Sequence, residues 1–178
     1  GAGNTAVGCT ALITNVTGGE NTAVGHGALY TNTASGNTAV GRSALDVSTT
    51  GANNTAVGYN AGGNVTTAGG TAFLGVGAGG AVTTGEANIC IGSNAGNYLN
   101  NLTTGNSCIM IGMNARNTAN DNEYEIVIGR DTTGKGSNTA TLRGTPYNTL
   151  DADWGTYSDK RIKKNITDNS KGLDAINQ

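Results

Sequence analysis

The 178-residue sequence predicts an all-β fold, a parallel β-roll or narrow β-solenoid with about 17 residues per coil. The first observation is a glycine that recurs after short apolar segments, at steps of 17, 16, 17, 17, 17, 20 and 17 residues. These anchor glycines are Gly8, Gly25, Gly41, Gly58, Gly75, Gly92, Gly112 and Gly129. The second is the composition, since 30 Gly, one Pro, one Phe and one Trp leave mainly small apolar side chains for a core. Small side chains suit thin stacked layers, whereas a deep globular core draws on large ones.

Each copy of the repeat reads Asn-Thr-Ala-Val-Gly-x-x-Ala or a variant of it, followed by a turn-rich segment. Gly and Asn in these segments supply the positive-φ positions that tight corners need. The residue before each anchor is Val, Leu or Ile, which predicts that it faces a core. The residue two before the anchor points to the opposite side of a strand and is also apolar. We therefore expect the strand to be buried on both faces, one inside the coil and the other against a neighbouring subunit.

Two polar or small columns complete the repeat. The residue three positions beyond the anchor is Ala in seven copies and Thr132 in the eighth. This small side chain predicts a close approach of backbone layers. Four positions before the anchor, Asn recurs in five copies: Asn4, Asn21, Asn37, Asn54 and Asn88. At the ~4.8 Å spacing of paired strands, stacked identical Asn side chains are expected to form a hydrogen-bonded ladder.

Charge and hydropathy exclude several classes of partner. The net charge is −2 and no basic run occurs before Lys160, so the sequence predicts no nucleic-acid partner. No apolar stretch approaches the ~20 residues that span a bilayer, so no membrane insertion is expected.

The sequence also predicts no cofactor and no metal. Cys9, Cys90 and Cys108 lack metal-type spacing and are interpreted as reduced, buried small hydrophobes. Residues 75–80 satisfy a dinucleotide-binding glycine spacing, but no helical pattern follows them. Asp121, Glu123 and Glu125 lie in one connection, where a solvated loop is favoured over a weakly held cation.

The Asn-Thr-Ala-Val-Gly-x-x-Ala-Leu units of residues 1–132 resemble the head repeats of YadA-like trimeric autotransporter adhesins. Similar units occur in tail-fibre proteins of phages. The resemblance implies a left-handed parallel β-roll assembled as a homotrimer. It specifies the type of repeat and leaves the biological context open.

The sequence that bears on context is Trp-Gly-Thr-Tyr-Ser-Asp-Lys-Arg-Ile-Lys-Lys-Asn-Ile, residues 154–166. It resembles the opening of the peptidase S74 intramolecular chaperone domain, whose pattern is Ser-Asp-x-Arg-x-Lys-x-Asn-Ile. Members of that family cap phage tail fibres and cut their own chain before the motif serine. The resemblance implies self-cleavage at Tyr157–Ser158, with Ser158 as nucleophile and Lys163 as base. The alternative for residues 160–164 is a solvated basic stretch.

These observations predict three regions: β-roll repeats over 1–132, an intertwined three-chain β-prism connector over 133–157, and the α-containing S74 domain from 158, truncated at 178. The resemblance implies a structural component of a phage tail fibre in the extracellular virion. It also implies contact with other phage tail proteins and with a host cell-surface glycan or protein. The head domain of a bacterial trimeric autotransporter adhesin is the alternative. No catalytic site for an external substrate is visible, and the Thr column of the first four copies is too short for an ice-binding array.

Overall fold

A computed structural model describes residues 1–97 and 102–143 of the chain. These residues form nine three-residue strands and no helix: β1 (Thr5–Val7), β2 (Thr22–Val24), β3 (Thr38–Val40), β4 (Thr55–Val57), β5 (Ala72–Leu74), β6 (Ile89–Ile91), β7 (Ile109–Ile111), β8 (Ile126–Ile128) and β9 (Ala140–Leu142). Each strand pairs in parallel with the next, so the sheet order follows the chain order. The predicted parallel β-solenoid with roughly 17 residues per coil is confirmed.

The register of the sheet repeats the alignment of the sequence copies. Ala23 pairs with Ala39, and Phe73 pairs with Cys90, so the residues of one column stand above one another. The strand β9 lies beyond residue 132, where the repeats were predicted to end, and extends the same sheet to Leu142. Residues 144–157 of the predicted connector, and the whole of the predicted S74 domain, lie outside the described residues.

The anchor glycines make the close stacking of the coils feasible. Their φ angles lie between 121° and 142°, beyond the range that side-chain-bearing residues adopt. A Cβ placed on any anchor from the first to the seventh would lie 2.4–2.8 Å from the backbone of the next anchor. Any side chain here would force adjacent coils apart and break the ladder between them.

Each strand contributes only its middle residue to the interior of the coil. The middle residues of β2 to β8 are at most 1% exposed, and they are Ala23, Ala39, Ala56, Phe73, Cys90, Met110 and Val127. The predicted Ala column beyond the anchors is also inside, because its members from the second to the seventh copy are fully buried.

Glycines in the facing turns make room for the one large aromatic side chain of the interior. In the second and third coils the strand centre is Ala, and Leu29 and Leu45 lie in the facing turn. At β5 the strand centre is Phe73, and the facing turns carry glycine instead. A Cβ on Gly79 would lie 2.3 Å from the Phe73 ring, and one on Gly62 would lie 2.8 Å from it. The Phe73 ring therefore occupies the space that side chains at these two positions would need.

The predicted Asn column is present, but its hydrogen bonds run from side chain to backbone. The Oδ1 atoms of Asn4, Asn21 and Asn37 each accept a hydrogen bond of 2.9 Å from the backbone N–H of the residue that occupies the column in the next coil. Their Nδ2 atoms donate, at 2.8 Å, to a turn carbonyl of that next coil. Each Asn thus joins two turns of backbone whose polar groups would otherwise be buried without partners.

The last member of this column is Glu125, and its hydrogen-bond partners differ from those of the Asn residues. Glu125 is fully buried. One carboxylate oxygen accepts from the backbone N–H of Gly136 at 2.8 Å, and the other accepts from Nδ2 of Asn122 at 2.7 Å. A carboxylate cannot donate to a carbonyl as Asn does, so the next turn presents an N–H instead. That turn belongs to a shorter coil, since Ile126 pairs with Ala140 only 14 residues later.

The anchor column generates a stability prediction. We expect Gly58→Ala to destabilise the fold by roughly 3 kcal/mol or more, because its Cβ meets the Gly75 carbonyl oxygen and its backbone conformation is strained. Gly70 also has a positive φ, but no atom lies within 4 Å of the position that a Cβ would take there, so Gly70→Ala should cost about 1 kcal/mol. Urea unfolding followed by circular dichroism at equal protein concentration measures both. Equal losses would contradict the close-approach argument.

The Asn column generates a second prediction. Asn54→Ala removes the acceptor for the Thr71 N–H and the donor to the Ala68 carbonyl, both in the interior. The expected cost is about 2–4 kcal/mol. Asn64 is exposed and donates one hydrogen bond to Gly80, so Asn64→Ala is the matched control and should cost below ~1 kcal/mol. Thermal unfolding of the two variants tests the difference, and a loss at Asn54 no larger than at Asn64 would refute it.

Candidate self-association face

The outward face of the sheet is the candidate functional site. It consists of the first and third residues of each strand, two on each of nine strands, and we call these eighteen side chains the outer stripe. Its members are Thr5, Val7, Thr22, Val24, Thr38, Val40, Thr55, Val57, Ala72, Leu74, Ile89, Ile91, Ile109, Ile111, Ile126, Ile128, Ala140 and Leu142. None carries a charge, and Thr is the only polar type among them.

The placement of these residues corrects the sequence-based assignment of the strand faces. The residue before each anchor was predicted to face a core, but in the single chain it faces outward. Val7 is 57% exposed and Leu74 is 51% exposed, whereas the middle residues of β2 to β8 are buried. The sequence contained the signal for the correct assignment. The third residue before the anchor shares a face with the first, and it is Thr in four copies, so this is the face that tolerates a polar group.

The stripe is mainly apolar, although nothing in the described part of the chain packs over it. Its side chains from β2 to β8 are mostly half-buried, because each one is covered above and below by its neighbours in the stack. At about 4.8 Å per strand, nine strands make a stripe about 38 Å long. Contiguous apolar surface of this kind, without interspersed charge, is typical of protein–protein contact surfaces.

The turns present a different surface, which mixes polar and apolar side chains. The residue after each anchor is exposed from the first to the fifth copy and differs in each: Cys9, His26, Arg42, Tyr59 and Val76. The guanidinium of Arg42 lies 5.7 Å from the centre of the Tyr59 ring, a cation–π contact at an exposed position. Among the residues described, no group of three His, Cys, Asp or Glu side chains is arranged to hold a metal ion.

The residues singled out for chemistry are placed only in part. Ser158 and Lys163 lie outside the described residues. Within the glycine run of residues 75–80, Gly79 packs against the Phe73 ring. The run is followed by a turn, so it lacks the helix that a dinucleotide-binding loop requires. Of the acidic cluster, Glu123 accepts a hydrogen bond from Asn106 at 3.0 Å at the surface, while Glu125 points into the interior.

The three cysteines are free thiols in different environments. Cys9 is exposed, whereas Cys90 and Cys108 are buried. Burial raises the pKa of Cys90 to about 12, and proximity to Cys108 contributes in the same direction. Burial also raises the pKa of Cys108. The interpretation of buried, inert thiols therefore holds for Cys90 and Cys108 but not for Cys9.

Comparisons with known proteins supply no family for this chain. No protein-family model, curated protein or solved structure matches it. Within the described residues, no helix is both long and apolar enough to cross a membrane.

Thiol reactivity tests the assignment of the strand faces. At pH 8 the folded protein should be alkylated rapidly at Cys9 only, because Cys90 is in the interior and its pKa is raised to about 12. Peptide mass spectrometry after iodoacetamide treatment reads each site, and the urea-unfolded chain is the control in which all three react. If Cys90 were alkylated as fast as Cys9, the assignment of the inward and outward faces of the strands would be wrong.

The same group predicts a dependence of stability on pH. The folded protein holds Cys90 neutral with a pKa of about 12, against 9.0 for the free thiol. Its contribution to stability is complete below pH 9 and is lost as the pH rises from 9 towards 12. Cys90→Ala should therefore show a smaller loss of melting temperature than the wild type over that range. Equal losses in the two proteins would show that the Cys90 thiol does not contribute to the pH dependence.

Proposed function

We propose that this chain is a structural segment of a phage tail fibre in which three copies associate through the outer stripe. The observation that carries the proposal is the stripe itself, an uncharged and mainly apolar face that residues 1–97 and 102–143 leave uncovered. Its eighteen side chains per copy are close to the 20–30 residues that each partner typically contributes to a stable interface. The parallel sheet also supports the proposal, because parallel sheets are ordinarily covered on both faces.

A further copy of the same chain is the partner that fits the stripe best. The stripe repeats once per coil, and a second copy presents the same period over the same length. Side chains of the two copies then meet coil by coil, which a partner of different periodicity does not achieve. A closed threefold arrangement is taken from the resemblance of residues 1–132 to YadA-like repeats, and it gives each stripe two neighbours.

The phage context is taken from residues 154–166, which resemble the opening of an S74 chaperone domain. That motif favours a fibre of the extracellular virion over the head of a bacterial autotransporter adhesin, which shares the repeats alone. In this proposal other phage tail proteins adjoin the fibre, and the exposed turns contact a glycan or protein of the host surface. The only chemistry assigned to the chain is self-cleavage at Tyr157–Ser158. Ser158 Oγ attacks the Tyr157 carbonyl carbon and its proton passes to Lys163. The C–N bond between Tyr157 and Ser158 then breaks as the Ser158 nitrogen takes up that proton, and water hydrolyses the resulting ester.

Native and denatured masses test the proposal together. The protein should be expressed with its natural downstream sequence, and native mass spectrometry should give three chains per particle. The denatured mass should show a chain ending at Tyr157, and Ser158→Ala should abolish the cut while leaving the trimer intact. Uncut trimers of wild type would remove the self-cleavage and keep the fibre. A stable monomer would overturn the association, and with it the proposed function.

A further inference from the structure

The outer stripe is not uniform along the solenoid. In β1 to β4 every outward pair is Thr followed by Val, whereas in β6, β7 and β8 both outward residues are Ile. We call the latter six side chains the isoleucine segment: Ile89, Ile91, Ile109, Ile111, Ile126 and Ile128. The strand β5, with Ala72 and Leu74, lies between the two halves.

Two interior columns change close to the change in the outer stripe. One turn column holds Asn15, Asn32 and Ser48 in the first three coils, and Val65, Val82 and Leu102 in the next three. All of these except Asn15 are fully buried. The strand centres change from Ala to Phe73, Cys90 and Met110 one coil further along, in the fifth to seventh coils. These two columns therefore become more apolar towards the isoleucine segment, although the same coils also bury polar side chains such as Asn88 and Glu125.

The two halves of the outer stripe differ in the free energy that is gained when they are buried. Burial of an Ile side chain removes more apolar area from water than burial of Val, and the free energy gained scales with that area. Burial of Thr also requires its hydroxyl to be desolvated. Coil for coil, contact between two copies is thus more favourable across the isoleucine segment than across the Thr–Val half.

The step in composition also distinguishes the correct register from its alternatives. Two uniform stripes that slip by one coil lose only the contacts at their ends. Here a one-coil slip brings Ala72 or Leu74 of one copy against an Ile pair of the other, and larger slips bring Thr against Ile. In-register association is the arrangement that places every Ile pair against another Ile pair.

We infer that the isoleucine segment contributes most of the free energy with which copies of this chain associate and sets their register. This inference rests on the proposed function, because it names the part of the stripe that holds the copies together.

The experiment compares two double substitutions in the full chain. Ile109→Thr/Ile126→Thr gives two coils of the isoleucine segment the outward Thr of the other half. Val24→Thr/Val40→Thr introduces the same residue type at the same number of positions in the Thr–Val half. Both sets of positions point outward, so circular dichroism should show the solenoid of each monomer preserved. Sedimentation velocity over a dilution series then measures the concentration at which each assembly dissociates.

We expect Ile109→Thr/Ile126→Thr to raise the dissociation concentration about tenfold or more, and Val24→Thr/Val40→Thr to raise it by less than about threefold. Adding Thr22→Ile/Thr38→Ile to the first variant should restore association, which guards against loss through misfolding. Equal weakening by the two double variants, with an assembled wild type, would overturn the inference and leave the proposed function standing. A monomeric wild type, its stripe covered by its own residues beyond 143, would overturn both.

Discussion

The close approach of successive coils at the anchor glycines is the constraint on which the rest of the structure depends. At Gly41 and Gly58 a Cβ would lie 2.4 Å from the carbonyl oxygen of the next anchor, so these positions must carry no side chain. Because the coils then lie at the spacing of paired β-strands, each backbone meets hydrogen-bonding partners in the coils beside it. Every other position becomes a column whose members share one environment, and this is why one residue type serves in successive coils.

A thin coil leaves an interior that only a few side chains can fill. Where the strand centre enlarges to Phe73, the facing turns contract to Gly62 and Gly79, and the Phe73 ring occupies the space in which their side chains would lie. The same limit explains why the Ile residues of β6 to β8 stay outside. Their strand centres, including Cys90 and Met110, already occupy the interior. A solenoid of this width buries one face of its strands, and within the described residues the other face points outward.

The sequence was sufficient to predict the coil length, the parallel stacking and the glycine and alanine columns, because all of these follow from a periodic pattern. It did not assign the faces of the strand correctly, since Val7 and Ala6 are both apolar and only the Thr two residues before Val separates them. The hydrogen-bond partners of the Asn column were also missed, because residue types alone do not show where turn carbonyls such as that of Gly18 lie. The role of Glu125 depends on a backbone N–H in the shorter last coil, which the repeat pattern does not describe.

A regular repeat makes assembly ambiguous, because two copies built from identical coils can align in many registers of nearly equal free energy. The information that separates these registers must come from departures from the repeat. In this chain the departures fall in three successive coils: Asn and Ser give way to Val in a turn column at the fourth coil, Ala gives way to Phe73 at the strand centre of the fifth, and Ile occupies the outer stripe from the sixth. The regular columns therefore account for the stability of the solenoid. The change between β4 and β6 marks one position along the solenoid and makes its two ends different. A strictly uniform version of the sequence would stack equally well and would have no preferred alignment with its copies.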